Sequence, residues 1–291
     1  MKLTNEKKRS LTGWVFLLPA VLLIFIMSFG PIAQAFGISL KTGTGNNMMW
    51  AGLANYARIP QDPTLKTTVC NTLVYLVQIP IMLGLALLYA QILNSKYIKH
   101  PAIYRVLIFL PCATASVSYS LVFRILFASD GFVNTLLIKL GVLETGFNFF
   151  GNAWSARLVI LLAMIWRWTG YNMVFLSAAM QGIDPAVYEA ATIDGAGGLQ
   201  KYFRITLPLL RPTLVLLTIM TLSGTIQLFD ESVNLTNGGP ANGTLSISHY
   251  VYNLAFKYTP NFGYATAISF VIFVVIAVLT ALQMKVGDKR E

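Results

Sequence analysis

Six stretches of this sequence carry almost no charge, and each is long enough to cross a bilayer as a helix. Ser10 to Leu40 is uncharged for 31 residues, Thr67 to Ser95 for 29 and Val106 to Phe123 for 18. Leu158 to Ile183 holds one charge, Arg167, in 26 residues, Pro212 to Phe229 is uncharged for 18 and Tyr258 to Met284 for 27. A spanning helix needs about 20 predominantly apolar residues at a rise of about 1.5 Å each. The runs are continuously apolar rather than alternating, which predicts helices and not a barrel. Pro19, Gly30-Pro31, Pro80 and Pro111 fall inside the runs, where packed membrane helices tolerate them as kinks. The expectation is an all-α membrane protein with six transmembrane helices. Its parts are a tail 1–12, a first helix 13–40, a loop 41–66, a core 67–285 with five helices, and a tail 286–291.

Composition agrees, since 56% of the 291 residues are hydrophobic and 11% charged, against about 25% charged in a soluble domain. The net charge of +10 would suggest nucleic acid in a soluble protein. Here it reads as the basic loops that orient a membrane protein, so no nucleic-acid partner is expected. The two tails, the second loop and the fourth hold 13 of the 21 Lys and Arg, including Lys2, Lys96, Lys201, Lys289 and Arg290. The opposite loops hold seven and are longer, which predicts that both termini are cytoplasmic. Ala33-Gln34-Ala35 mimics a signal-peptide cleavage site. The apolar run before it exceeds the usual 7–15 residues, so an uncleaved first span is expected. Cys70 and Cys112 lie in apolar runs and read as small buried hydrophobes, with no disulfide framework.

Catalytic chemistry has few residues to work with. Gly195-Ala196-Gly197-Gly198-Leu199-Gln200-Lys201 lacks the spacing of a phosphate-binding loop. His100 and His249 read as loop residues on opposite sides of the membrane, so no metal site is expected. The 11 acids read as lying outside the span cores or at their ends, which gives no proton relay. The chain is not expected to be an enzyme.

Residues 182–212 carry the most specific signal. Asp184 before Pro185 is a helix start, with a cap oxygen and a proline in the first turn. The short helix presents Glu189-Ala190-Ala191, and Asp194-Gly195 turns the chain. A second amphipathic stretch, Leu199 to Leu207, leads through Pro208 and Pro212 into the fifth span. Acids (Asp184, Glu189, Asp194) precede bases (Lys201, Arg204, Arg211). The acidic half is expected to dock a soluble partner and the basic half to lie on anionic membrane lipid, at about 1 kcal/mol per base.

Glu189-Ala190-Ala191, then Gly195, then Ile205-Thr206-Leu207-Pro208 resembles the EAA loop of binding-protein-dependent ABC importer permeases. Gly52-Leu53-Ala54-Asn55-Tyr56, Gly131-Phe132-Val133-Asn134, Phe229-Asp230 and Leu235-Thr236-Asn237-Gly238-Gly239-Pro240 are similar to the maltose-type (CUT1) sugar permeases. The resemblance implies a type I ABC importer permease fold in the cell membrane, with Glu189, Ala190, Ala191, Asp194 and Gly195 coupling it to an ATPase. It implies four partners: a second permease subunit, an ATPase subunit dimer, an extracellular sugar-binding protein and a sugar substrate. ATP and Mg would be held by the ATPase, leaving no cofactor in this chain.

Sugar sites combine aromatic faces with hydroxyl and amide groups. Met164, Trp168, Tyr171 and Asn172 share one face of the fourth span, and Thr218, Thr221 and Thr225 one face of the fifth, with Gln227 beside them. Met164, Trp168, Tyr171, Thr221 and Thr225 also fall where the resemblance places sugar contacts. The same threonines can instead bond back to their own helix. Arg167 must face protein or water, either lining a cavity or pairing with the partner subunit. The reading is an importer permease for a sugar, an oligosaccharide above all. Alternatives are a permease for glycerol-3-phosphate or its diesters, or an ATP-independent secondary carrier.

Overall fold

The computed structural model describes residues 5–44, 47–95 and 97–287. Lys2, Lys96, Lys289 and Arg290 of the charge count lie outside them, as does part of each tail. The chain runs α1 (Asn5–Ile24), a π-helical turn (Phe25–Phe29) and α2 (Gly30–Ser39), then β1 (Lys41–Thr42), β2 (Met49–Trp50) and α3 (Ala54–Arg58). It continues through α4 (Pro63–Tyr75), α5 (Gln78–Leu93), α6 (Pro101–Ala113), α7 (Ser116–Leu126), α8 (Phe132–Lys139) and α9 (Ala153–Gln181). The remainder is α10 (Pro185–Ile193), α11 (Gly198–Lys201), α12 (Leu207–Leu209), α13 (Arg211–Ile226), α14 (Asp230–Thr236), α15 (Ile247–Tyr252) and α16 (Phe262–Gly287). Residues up to Gln61 with Val251–Phe273 form one compact unit, and Asp62–Tyr250 with Val274 onward form a second.

Among the described residues four segments are long and apolar enough to cross a membrane: Thr12–Ser39, Pro63–Leu93, Ala153–Gln181 and Phe262–Lys285. The other two predicted spans are bent pairs, α6 with α7 at 96° and Gly198–Leu209 with α13 at 63°. Six spans result when each bent pair counts as one. The Val106–Phe123 run is therefore two helices at nearly a right angle, not one kinked helix. The helix ends at Ala113, where Thr114 and Ala115 take extended backbone angles; Pro111, inside its last turn, already leaves the Leu107 carbonyl without a ladder donor. The Thr114 amide and hydroxyl both donate to the Pro111 carbonyl, at 3.2 and 2.5 Å, and close the helix end.

In the smaller unit, Thr12–Ser39 buries nothing along its most apolar window. The Gly52–Tyr56 motif has a local role here. Gly52 takes φ +56°, and buried Asn55 donates to the Ser39 and Lys41 carbonyls, both at 2.8 Å. Its amide thereby latches the β1–β2 hairpin.

The larger unit is built on α5 against α9. Ile79, Leu83, Ala86, Ala90 and Leu93 repeat at alternating steps of four and three, so they form one stripe. It meets Met173, Leu176 and Met180, and the alanines let the backbones approach closely. A second cluster joins Tyr75, Tyr119, Phe123, Ile160 and Met164. Gly131-Phe132-Val133-Asn134 is again a turn device. A Cβ on Gly131 would sit 2.4 Å from the Ile125 carbonyl oxygen, and buried Asn134 bonds Ala128 and Phe147 backbone groups. Cys70 is exposed on α4 and Cys112 half-buried, which corrects the expectation of two buried thiols. The inward face of α4 belongs to Leu65, Thr68, Asn71, Thr72 and Tyr75, which leaves Cys70 on the outside.

Where α6 crosses α9, a Cβ on Gly170 would lie 1.9 Å from the Ile108 carbonyl oxygen. Gly170→Ala is expected to destabilise the protein by about 1–3 kcal/mol, since that oxygen cannot move freely. Gly84→Ala, with nothing within 4 Å of the added carbon, should be neutral. Thermal unfolding of the two purified variants checks this; equal melting points would contradict the packing.

Candidate functional site

α5, α9, α13 and the start of α14 enclose a cavity of about 530 Å³. All seven residues proposed from the sequence as a substrate pathway line it: Met164, Trp168, Tyr171 and Asn172 from α9, and Thr221, Thr225 and Gln227 from the end of α13. Trp168 and Tyr171 meet edge to face with centroids 5.9 Å apart, which gives the wall a rigid aromatic corner. Asn172 is buried and donates to the Trp168 carbonyl at 2.9 Å. Thr225 is buried and donates to the Thr221 carbonyl at 2.8 Å, so the back-bonded reading holds at that position. Thr218 bonds back to the Leu214 carbonyl at 2.7 Å and lines a different hollow, with Arg211 and Gln283. The stripe of three threonines is split.

Arg167 lines the cavity and pairs inside its own chain. Its Nη1 lies 3.6 Å from the Glu231 carboxylate, which is buried at the start of α14. The same Nη1 donates to the Tyr119 hydroxyl at 3.1 Å, and that hydroxyl donates to Glu231 at 2.5 Å. The guanidinium also sits over the Trp168 ring, 5.0 Å from its centroid. Sequence reasoning left cavity lining or a partner-subunit ion pair open for Arg167, and the structure shows the lining. Glu231, read with the other acids as lying outside the cores or at a span end, follows the fifth span and is buried beside Arg167. An intramembrane cation demands a buried anion, so the signal was present. Lining residues that sequence reasoning did not propose include the polar Gln78, Asp230 and Glu231 and the aromatic Phe229.

Beyond the cavity, a polar network fixes the segment that contains Leu235–Pro240. Asn237 closes α14 at φ +50° and Gly238 follows at φ +80°, so the asparagine and glycine of the motif supply left-handed turns. Asn71 donates to the Asn242 and Leu245 carbonyls at 2.8 and 2.9 Å, while Arg157 donates to Asn71 Oδ1 and the Gly243 carbonyl at 2.7 and 2.6 Å. His249 is not a loop residue. It is buried in α15 with its Nδ1 2.9 Å from the Ser232 hydroxyl.

The 182–212 segment folds as its capping residues dictate. Asp184 accepts from the Ala186 amide at 2.9 Å and opens the nine-residue α10, on which Glu189 and Ala190 are exposed and Ala191 is buried. Gly195, at φ +77°, closes it. The Gly195 amide bonds the Thr192 carbonyl at 3.0 Å, and the Ala196 amide bonds the Ala191 carbonyl at 2.9 Å. α10 is held to the following helix by Tyr188 and Thr206 hydroxyls 2.9 Å apart. Lys201 donates to the Thr192 hydroxyl at 2.7 Å, which ties this base to α10. The free surface of the segment is partly apolar, with Ile193 87% exposed. Among the described residues no cluster of His, Cys, Asp or Glu could hold a metal.

Comparison with known proteins places this architecture. A family profile described as binding-protein-dependent transport system inner membrane component matches residues 8–290. The lactose transport system permease protein LacF of Rhizobium radiobacter is 40% identical over 282 residues, 96% of this chain and 95% of its own. The arabinooligosaccharides transport system permease protein AraP of Halalkalibacterium halodurans is 34% identical over 97% of this chain and 89% of its own. In a crystal structure of a bacterial ABC transporter involved in the import of the acidic polysaccharide alginate, a chain 23% identical overlays with a TM-score of 0.83. The match covers 97% of this chain and 96% of that one.

Proposed function

The chain belongs to the family of binding-protein-dependent transport system inner membrane components, and we propose that it is the sugar-conducting subunit of an ATP-driven importer. It is a multi-pass membrane protein and a transport subunit, not an enzyme. The substrate is a neutral oligosaccharide or disaccharide, delivered by an external binding protein. A second permease subunit completes the pathway, and two ATPase subunits receive the α10 segment with both termini on their side of the membrane.

The observation that carries the sugar reading is the cavity lining. Trp168 and Tyr171 offer aromatic faces for a pyranose, while Asn172, Thr221 and Gln227 offer amide and hydroxyl groups beside them. Charge separates sugar from the phosphate alternative. Arg167 is the cavity's cation and Glu231 neutralises it, while Asp230 adds a second carboxylate to the lining. A lining with two carboxylates against one guanidinium repels a phosphomonoester. Named relatives fit the same class, since LacF and AraP carry lactose and arabinooligosaccharide transport in their names.

Cells lacking the gene are expected to lose uptake of a labelled neutral saccharide from a panel of lactose, maltose and arabinobiose, and to regain it with the gene restored. Retained uptake of the whole panel, with loss of glycerol-3-phosphate uptake, would favour the alternative. Orientation has its own check. A cysteine at exposed Asn242 should react with an impermeant reagent from outside, and one at Gly287 only after the membrane is opened. The reverse result would contradict the orientation.

A further inference from the structure

Gln78 opens α5 where the long span Pro63–Leu93 is interrupted at Leu76-Val77. Pro80 lacks the amide that the Leu76 carbonyl would accept in a continuous helix, which explains the interruption. The Gln78 side chain is 2% exposed and lines the cavity.

The orientation of its amide follows from the threonine beside it. Thr225 has one hydroxyl hydrogen, and it goes to the Thr221 carbonyl. Toward Gln78 that oxygen can therefore only accept, and what faces it must be the Gln78 NH2. Nε2 indeed lies 2.9 Å from Thr225 Oγ1. Flipping the amide would set two acceptors against each other, so Oε1 is fixed on the other side. There it is buried and has no hydrogen-bond partner. Buried side-chain acceptors are nearly always satisfied, and one left open on a residue that lines a cavity points to a donor that arrives with the occupant.

A carboxylate or phosphate cannot supply that donor, because when ionised it only accepts. A sugar hydroxyl can. We propose that Gln78 is a substrate-contacting residue, whose Oε1 takes a hydrogen bond from one hydroxyl of a neutral saccharide. The proposal rests on the sugar-permease reading above. The chain Thr221 carbonyl, Thr225 hydroxyl, Gln78 NH2 presents the acceptor in a fixed direction, so Thr225 acts through Gln78 as a positioning residue. Gln78 thereby selects for a hydroxyl at one place on the sugar.

The test uses the assembled transporter in proteoliposomes, with whichever of lactose, maltose and arabinobiose the wild type takes up best, and its monodeoxy analogues. Gln78→Met keeps the length of the side chain and removes the acceptor. It should raise the half-saturating concentration of the parent sugar about tenfold, the size of one net hydrogen bond, with the maximal rate nearly kept. One monodeoxy analogue should show the same tenfold loss in wild type and no further loss in Gln78→Met. If Gln78 only braces the helices, or if its Oε1 holds only water, the variant will weaken every analogue equally or none, and the proposal is overturned. If wild type transports none of the three sugars, the sugar reading and this proposal fall together. Should Gln78→Met not assemble, a structure of the wild-type complex with the sugar decides. A hydroxyl within about 3.2 Å of Oε1 supports the contact, and a sugar bound away from Gln78 overturns it.

Discussion

Glu189→Lys is expected to abolish ATP-driven uptake while leaving the chain folded and inserted. Glu189 is exposed on α10, and no described residue of this chain forms an ion pair with it. Surface substitutions of that kind change stability by about 0.5 kcal/mol or less. Its role on our reading lies outside the chain, where the acidic face of α10 meets the ATPase. Reversing that charge sets like against like across a buried contact, a change that costs several kcal/mol in binding. Gly195→Asp should have the same effect by a different route. At φ +77° a side chain bearing Cβ is disfavoured by about 1–2 kcal/mol. The turn that ends α10 would then relax and misdirect the helix. Co-purification with the ATPase should fall at least tenfold for both variants, and unchanged assembly with normal uptake would remove the docking assignment. The exposed Ile193 is the apolar counterpart of this face.

Arg167→Met is the second large effect, and it acts on folding. The Arg167–Tyr119–Glu231 triad ties α7, α9 and α14 together beside the cavity. Removing the cation leaves the Glu231 carboxylate, on a residue 4% exposed, without its countercharge. Breaking one half of a buried pair costs about 3–5 kcal/mol, whereas replacing both halves by apolar groups of similar volume is often close to neutral. Arg167→Met alone should therefore purify in low yield with a strongly lowered melting temperature. Arg167→Met with Glu231→Met should recover most of the loss. Two singly damaged variants whose double is worse than either would show that the pair does not hold the helices.

Much of this was legible in the sequence because membrane solvation acts on each residue locally. Charge-free runs marked the spans, and the caps around Asp184 and Gly195 marked α10, since both signals sit within one helical turn. Six of the seven cavity residues were legible on two helical faces, five of them also through the family resemblance, and Gln227 as a neighbour of the second face. What stayed hidden depends on distant partners. The right-angle break at Thr114-Ala115 lies within a turn of Pro111, but a proline alone announces a kink and not its size. Glu231 was one of eleven acids outside the span cores or at their ends until the fold carried it to Arg167, 64 positions away in sequence. Gln78 was one polar residue in an apolar run. Only its juxtaposition with Thr225 shows which of its atoms is left unpaired.

The central claim is that this chain conducts a sugar only when ATP hydrolysis elsewhere drives it. Uptake of labelled lactose, or of the panel sugar preferred in cells, should be measured in proteoliposomes holding the complete transporter, with ATP inside and binding protein outside. Accumulation above the external concentration is expected only when both are present, and it should be unaffected by collapsing ion gradients. Accumulation by this chain alone, without ATP and lost when the proton or sodium gradient is collapsed, would contradict the account.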